Sequence, residues 1–104
     1  MEVKSKIRDN RLYIFLDGEL DEHYAKSVKE SVDQIIDCNL TVRCVIFDFS
    51  KIRFMDSTGI GVLLGRYKKL KKYGIPSYVS NPSLQANKIL QISGIYDIMP
   101  KVCA

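Results

Sequence analysis

The sequence predicts an α/β domain in which helices lie on a mixed, mostly parallel sheet of four or five strands, in the order β-β-α-β-α-β-α-β. Three observations carry this prediction. Residues 11–17 alternate aliphatic with aromatic side chains, which is typical of a half-buried strand. Residues 42–49 are almost continuously apolar, which is typical of a central strand covered on both faces. Segments with helical spacing separate the later strands, which favours parallel pairing with right-handed crossovers.

The chain is predicted to open with a β-hairpin. Residues 2–8 form the first strand and residues 11–17 the second. The Asp9-Asn10 pair between them is a common turn sequence.

The first helix is predicted within residues 18–37, because apolar side chains recur there at helical spacing. We expect Asp21 to be its N-cap, with Glu22 adding negative charge at the positive end of the helix dipole. The apolar stripe comprises Tyr24, Val28, Val32, Ile35 and Ile36.

The second helix is predicted in "FMDSTGIGVLLGRYKKLKK", residues 54–72, which follows the central strand. Its apolar side chains repeat at helical spacing, so we expect them to face the sheet. Gly74 is expected to end the helix in a left-handed conformation. The stripe comprises Ile60, Leu63, Leu64, Tyr67 and Leu70.

The last elements are a short strand at residues 75–80, a third helix and an edge strand. We expect Asn81 to be the N-cap of the third helix, Pro82 its first residue and Gly94 the residue after its end. The apolar residues 95–99 are predicted to form the edge strand.

Length and composition indicate one soluble domain. The chain has 104 residues, of which 46% are hydrophobic and 27% charged, which is ordinary for a globular protein. No apolar run approaches the roughly 18 residues of a membrane span, and the polar N-terminus lacks a signal-peptide core. We expect a cytoplasmic protein that does not bind membranes.

The cysteines and the basic residues do not indicate a specific chemistry. Cys38, Cys44 and Cys103 are odd in number and form no C-x-x-C pair, so we expect neither a disulfide nor a metal. The net charge of +4 is concentrated late in the second helix, where a solvated basic face is the favoured interpretation. A small nucleic-acid-binding domain is the alternative, but no aromatic residues are interleaved in a known motif. The basic run comprises Arg66, Lys68, Lys69, Lys71 and Lys72.

Enzyme motifs are absent from the sequence. The second helix lacks the Walker pattern, and a dinucleotide loop would need glycine at position 64, which is Leu64. A nucleophile elbow would need glycine at position 55, which is Met55. His23 has no partners in a recognisable constellation. We therefore expect no catalytic residues and no enzymatic activity.

The start of the second helix is nevertheless unusual. Three interior glycines cost about 1 kcal/mol each relative to alanine, and Gly61 and Gly65 share a face that would admit another backbone. A phosphoryl group on a serine at this helix start would be accommodated by the helix dipole. Any one of Asp56, Ser57 and Thr58 could instead serve only as the N-cap.

One block of sequence carries a family resemblance. "VIFDFSKIRFMDSTGIGVLLGRYKKLKKYG", with "LDGELDEHYA" before it and "ISGIYDIM" after it, resembles the bacterial anti-sigma factor antagonists of the STAS domain family. The resemblance covers residues 11–99, and "LGRYK" favours the sporulation branch. It implies that Ser57 is phosphorylated by the anti-sigma factor, an ATP-dependent serine kinase. Only the unphosphorylated form then binds that factor and releases the sigma factor, and a PP2C-type serine phosphatase restores it.

The resemblance also implies where the partner binds. Asp21 falls at a family position that contacts the kinase, and Glu19 stands beside it. The protein is expected to need no cofactor, since the partner kinase uses the ATP, and to be a monomer or weak dimer. Members usually continue with another helix, which is expected here to be short or absent. A STAS module of another pathway, or one that binds a nucleotide, remains the alternative. The expected partner-binding residues are Glu19, Asp21, Asp56, Ser57, Thr58 and Gly61.

Overall fold

Five strands form one mixed sheet in the computed structural model, which describes residues 1–103. The strands are β1 (Glu2–Arg8), β2 (Arg11–Leu20), β3 (Cys44–Met55), β4 (Ser77–Ser80) and β5 (Lys101–Val102). The helices are α1 (Ala25–Asp37), α2 (Ser57–Lys72) and α3 (Leu84–Ser93), followed by a 3-10 turn at Ile95–Asp97. The spatial order is β1-β2-β3-β4-β5, with β1 antiparallel to β2 and all other neighbours parallel. The predicted fold class and element order are confirmed.

The opening hairpin is formed as predicted. Asp9 and Asn10 have φ values of 54° and 59°, the left-handed conformation that a tight two-residue hairpin turn requires. Strand β2 is longer than predicted and continues to Leu20. Its pairing with β3 is irregular on both sides of Gly18, whose φ is 131°.

The hydrophobic core lies on one face of the sheet. Alternate residues of β2, namely Leu12, Ile14 and Leu16, are almost completely buried there. All three helices contribute their buried side chains to the same cluster. Strand β3 is buried from Cys44 to Phe49, as expected, although no helix of residues 1–103 contributes to its second face.

The predicted start of the first helix is wrong. Helix α1 begins at Ala25, four residues after Asp21, because the chain stays in β2 until Leu20 and then makes a turn. The Asp21 carbonyl accepts hydrogen bonds from the N–H groups of Tyr24 (3.2 Å) and Ala25 (3.0 Å), and its carboxylate accepts one from Tyr24 (3.2 Å). Asp21 therefore stabilises the turn before α1, and Glu22 lies outside the helix.

The predicted cap of the third helix is also wrong, whereas its end is correct. The N-cap is Ser83, whose hydroxyl accepts a hydrogen bond from the N–H of Ala86 at 3.1 Å. Asn81 has a φ of 54° and uses its side chain to bind Asp48 instead. Pro82 thus precedes the helix, while Gly94 follows its end with a φ of 78°.

The predicted edge strand at residues 95–99 is wrong as well. This segment forms a helical turn in which the N–H of Met99 donates to the carbonyl of Ile95 at 2.8 Å. Both side chains are buried while Asp97, halfway between them, is exposed, which suits a turn of helix, since all three would share one face of a strand. The edge strand is β5, two residues further along the chain.

Helix α2 faces the core with a stripe that matches the predicted one in part. Among the five predicted residues, Leu63 and Leu70 are fully buried, whereas Ile60, Leu64 and Tyr67 are only half-buried. The buried face is completed by Gly59 and Val62. Ile60 and Tyr67 nevertheless pack against the same core. Gly74 follows the helix with a φ of 69°, as predicted.

The basic run of α2 is not uniformly solvated. The Arg66 guanidinium is 2.9 Å from the Asp33 carboxylate of α1, and only 12% of its side chain is exposed. Lys69 is 2.8 Å from Asp37, and this hydrogen bond raises the pKa of the lysine. These ion pairs join α1 to α2, which corrects the expectation of a solvated face. Among residues 1–103, no helix is both long and apolar enough to cross a membrane.

Candidate functional site

The junction between β3 and α2 presents a serine hydroxyl to solvent. Asp56 has an extended backbone and caps the helix, because its carboxylate accepts a hydrogen bond from the N–H of Thr58 at 2.8 Å. Ser57 is the first helical residue and is exposed, whereas Thr58 is half-buried. Asp56 is thus the N-cap, and Ser57 remains free for another role.

The turn after β2 lies beside this junction because the two strands are parallel neighbours. Leu20 pairs with Met55, and the Leu20 carbonyl accepts a hydrogen bond from the N–H of Asp56 at 3.3 Å. The carboxyl ends of parallel strands meet at one edge of a sheet, where the following loops form sites. Two segments about 35 residues apart in sequence therefore share this edge.

A shallow depression lies at this edge and mixes acidic groups with an exposed aromatic ring. Phe54 is 45% exposed, which is unusual for a phenylalanine in a small domain. Because Asp21 and Asp56 line the depression together with Phe54, its surface is both acidic and apolar. Such a mixture is typical of a protein-binding surface rather than of a closed cavity. The depression is lined by Asp21, Glu22, His23, Phe54 and Asp56.

The six expected partner-binding residues are not all equally close to this depression. Asp21 and Asp56 line it, and Ser57 and Thr58 follow Asp56 directly. Glu19 is at the same edge, opposite Phe54, but its carboxylate is 3.4 Å from the Arg53 guanidinium, which also lies 3.3 Å from Asp17. Glu19 thus belongs to an exposed ion-pair group beside the depression.

The three glycines of α2 have different environments. A Cβ atom on Gly59 would lie 3.0 Å from the Met55 side chain and 3.1 Å from that of Leu20, and both of these are fully buried. A Cβ atom on Gly61 or Gly65 would meet nothing within 4 Å. Gly59 therefore serves the close contact of the helix with the sheet, whereas the other two glycines leave open space on the surface.

This difference predicts opposite effects of alanine on stability. We expect Gly59→Ala to lower the free energy of unfolding by about 1–2 kcal/mol, since overpacking of a tight core outweighs the gain in helix propensity. Gly61→Ala should raise it by up to about 1 kcal/mol, because an exposed helical position gains the propensity alone. Urea denaturation followed by circular dichroism measures both values. Equal effects of the two substitutions would contradict this assignment.

One residue that fixes the junction was not predicted from the sequence. The Gln85 side chain accepts a hydrogen bond from the N–H of Met55 at 3.1 Å and donates one to the Met55 carbonyl at 2.6 Å. It thereby joins the first turn of α3 to the residue before the Asp56 cap. The contact spans 30 residues, and no local sequence pattern encodes it.

Comparisons with known proteins agree with this architecture. The STAS domain model matches residues 2–104. An anti-sigma F factor antagonist from Paenibacillus polymyxa is 34% identical over 100 residues, which cover 96% of this chain and 85% of that protein. An anti-sigma-B factor antagonist from Bacillus subtilis (strain 168) is 29% identical over 99 residues, covering 95% of this chain and 88% of that protein.

The fold also matches two solved structures of the anti-sigma factor antagonist SpoIIAA. The unphosphorylated form has a TM-score of 0.79 and 28% identity, covering 97% of this chain and 88% of that chain. The phosphorylated form, from Bacillus, has a TM-score of 0.70 and 28% identity, covering 97% and 91%. The chain belongs to the STAS domain family. The family resemblance deduced from the "MDSTGIG" block is thereby confirmed.

Proposed function

We propose that this protein is an anti-sigma factor antagonist whose binding is switched by phosphorylation of Ser57. The unphosphorylated protein binds an anti-sigma factor, which is itself a serine kinase, and so releases a sporulation sigma factor. Phosphorylation by that kinase ends the complex, and a PP2C-type phosphatase restores it. The observation that carries the proposal is an exposed serine at the first position of α2, in a chain whose relatives are named anti-sigma factor antagonists.

Exposure and backbone roles support Ser57 over its neighbours as the phosphorylated residue. Thr58 is half-buried, and its N–H is held by the Asp56 cap. Asp56 has no hydroxyl and is needed to begin the helix. A kinase must bring the γ-phosphate of ATP in line with the attacking oxygen, and a hydroxyl on a rigid helix start is presented in one defined position.

The charge of the site supports a switch that acts mainly on the partner. A phosphoryl group adds about −1.5 to −2 charge, and at Ser57 it would lie next to Asp56 and near Asp21. The positive end of the α2 dipole accommodates this charge within the protein, since α2 has no acidic residue in its first turn. A partner that fits the acidic, apolar surface of the unmodified form would then have to desolvate the new charge.

The open positions of α2 support the same docking surface. Gly61 lies one turn beyond Ser57, is exposed and has free space where a side chain would be. A partner backbone can therefore approach the helix closely beside the serine. The protein supplies the hydroxyl and the surface, while ATP and the catalytic groups belong to the kinase. No cofactor of its own is proposed.

Phosphate mapping tests this proposal. The protein is incubated with ATP and an anti-sigma F factor, or in a parallel reaction with an anti-sigma-B factor, and the modified residue is located by mass spectrometry. We expect one phosphate, on Ser57, and none on the Ser57→Ala variant. Faster modification by the anti-sigma F factor would support the sporulation pathway. Phosphate on Thr58, or no modification by either kinase, would refute the proposed switch.

A further inference from the structure

The second face of the sheet carries aromatic side chains in register. Directly paired residues of neighbouring strands point to the same face, so Tyr13 of β2 shares a face with Ile46 of β3 and Tyr78 of β4. Phe15 occupies the next position of β2 on this face. The helices place their buried side chains in the core on the opposite face. This aromatic face is therefore not covered by a helix of residues 1–103.

The rings form a shallow platform rather than a core. Tyr13, Phe15 and Tyr78 are each partly exposed. The rings of Tyr13 and Phe15 are nearly parallel, with an interplanar angle of 15° and centroids 6.4 Å apart. Ile46 lies between them and Tyr78 and is only 7% exposed. Partly exposed rings beside a buried aliphatic side chain offer an apolar surface to another flat ring.

Cations border this platform on β1 and at the beginning of β2. Lys6 pairs with Tyr13 across the hairpin, and Arg8 pairs with Arg11, so all of them share the aromatic face. Within residues 1–103, Lys6, Arg8 and Arg11 form no ion pair, in contrast to Arg66 of α2. These three cations line one groove together with the two β2 rings.

Few negative charges oppose these cations. Asp9 in the hairpin turn and Asp48 line the same groove. The Asp48 carboxylate accepts hydrogen bonds from Ser50, Ser80 and Asn81, and because these donors are neutral it keeps its negative charge. The groove thus combines aromatic rings with three unpaired cations against two carboxylates, and its excess of positive charge is complementary to that of a polyanion.

We propose that this aromatic face binds single-stranded nucleic acid, with bases stacked on Tyr13 and Phe15 and phosphates against Lys6, Arg8 and Arg11. The combination of stacking rings and a basic border is what such ligands require. An acidic peptide would use the cations but gain little from the rings. Little preference for base sequence is expected, because every base has a face that can stack.

This proposal is independent of the Ser57 switch. Arg11 pairs with Cys44 at the beginning of β3, whereas Ser57 follows its end, so the basic border and the serine lie at opposite ends of the strand.

The proposal of a nucleic-acid ligand departs from the expectation, based on sequence, that the protein has no nucleic-acid partner. That expectation rested on the lack of aromatic residues interleaved with the basic run of α2. The platform instead combines residues from separate strands, which only the register brings together.

Fluorescence anisotropy with labelled 15-nucleotide probes tests the proposal, using oligo-dT and oligo-U in parallel to compare DNA with RNA. We expect binding at 50 mM salt that weakens as salt rises, with a slope of log K against log salt of about −2 for three contacted phosphates. Lys6→Gln and Arg8→Gln should each reduce the steepness by about 0.7. The double variant Lys68→Gln/Lys72→Gln, which loses as much charge on α2 as both together, is the matched control and should bind like the unsubstituted protein.

The aromatic side chains have their own readout. Tyr13→Leu and Phe15→Leu should each weaken binding about tenfold while the salt slope stays unchanged, because stacking releases no counterions. Circular dichroism checks that each variant is folded. Ser57→Ala should bind the probes as well as the unsubstituted protein, which separates this proposal from the proposed function.

Four results would overturn the proposal. The first is failure of both probes to bind at 50 mM salt. The second is a loss of binding in the α2 control as large as that in the Lys6→Gln and Arg8→Gln variants. The third is unchanged binding by folded Tyr13→Leu and Phe15→Leu variants. The last is equally tight binding of a labelled oligo-glutamate peptide that ignores the aromatic substitutions, which would assign the face to an acidic protein segment.

Discussion

Replacing Ser57 by aspartate should raise the Kd for the anti-sigma factor at least about tenfold, which corresponds to about 1.4 kcal/mol, whereas Ser57→Ala should bind like the unsubstituted protein. The reason is the position of the new charge. Aspartate at this exposed position stands next to Asp56 and close to Asp21, on the surface that the proposed partner must desolvate. Like charges in an interface cost several kcal/mol when they are brought together.

The true phosphoserine should have a larger effect than aspartate, since it carries about −1.5 to −2 charge. Isothermal titration calorimetry with the cognate anti-sigma factor measures each Kd. Ser5→Asp adds the same charge on the exposed edge strand β1 and should leave the Kd unchanged. Equal affinities of Ser57→Ala and Ser57→Asp would refute the electrostatic switch, even if Ser57 is the residue that the kinase modifies.

Regular periodicity made most of the fold predictable from the sequence. The alternation in residues 11–17 and the apolar run of residues 42–49 identified β2 and β3, and the Asp9-Asn10 pair identified the hairpin. These signals are local, so a single sequence contains them in full. The helix starts were predicted less well, because capping residues can be used elsewhere. Asn81 has a side chain suited to capping, but that side chain donates a hydrogen bond to Asp48, which is 33 residues away in the sequence.

The candidate site was predictable only in part. The block around Ser57 pointed to this serine, which is exposed at the first position of α2, and the meeting of strand ends brought Asp21 and Asp56 to one edge. The contact of Gln85 with Met55 was not predictable, since it depends on where α3 is placed in three dimensions. The same holds for the aromatic face, because the partners of Tyr13 are fixed by strand register rather than by neighbours in the sequence.

The second large expected effect is on stability and comes from replacing the buried carboxylate of Asp48. Its Oδ2 accepts hydrogen bonds from the Ser80 hydroxyl (3.0 Å) and the Asn81 amide (2.8 Å), and its Oδ1 accepts from the N–H and the hydroxyl of Ser50. Asp48 is only 5% exposed. We expect Asp48→Asn to lower the free energy of unfolding by about 2–4 kcal/mol, because an amide group facing these donors leaves some of them unpaired in the interior.

The effect of Asp48 should depend on pH. Burial raises the pKa of this carboxyl, but the hydrogen bonds from Ser50, Asn81 and Ser80 outweigh it and hold the pKa below the usual value of 3.8. The unfolded chain therefore takes up a proton at higher pH than the folded protein does. The stabilisation by Asp48 is fully present well above pH 4 and is lost as the pH falls through the folded pKa.

Urea denaturation at pH 7 and at several values below pH 4 measures this dependence. The stability difference between the unsubstituted protein and Asp48→Asn should be largest at pH 7 and should shrink in acid. Asp97→Asn, which removes an exposed carboxylate from the 3-10 turn, should have little effect on stability at pH 7. A difference for Asp48→Asn that does not change with pH would show that the charge of the carboxylate is not what stabilises this region.

Loss of the hydrogen bonds that Asp48 accepts should also loosen the structure around Ser57. Asp48 holds Asn81, which sets the path of the chain into Ser83 and the first turn of α3. That turn carries Gln85, whose two hydrogen bonds fix Met55 just before the Asp56 cap. Hydrogen exchange at the Met55 amide should therefore be faster in Asp48→Asn than in Asp97→Asn, even when urea is added to Asp97→Asn until the two variants have the same free energy of unfolding. Since a kinase requires a well-placed hydroxyl, the buried carboxylate would support the proposed switch from the far side of the sheet.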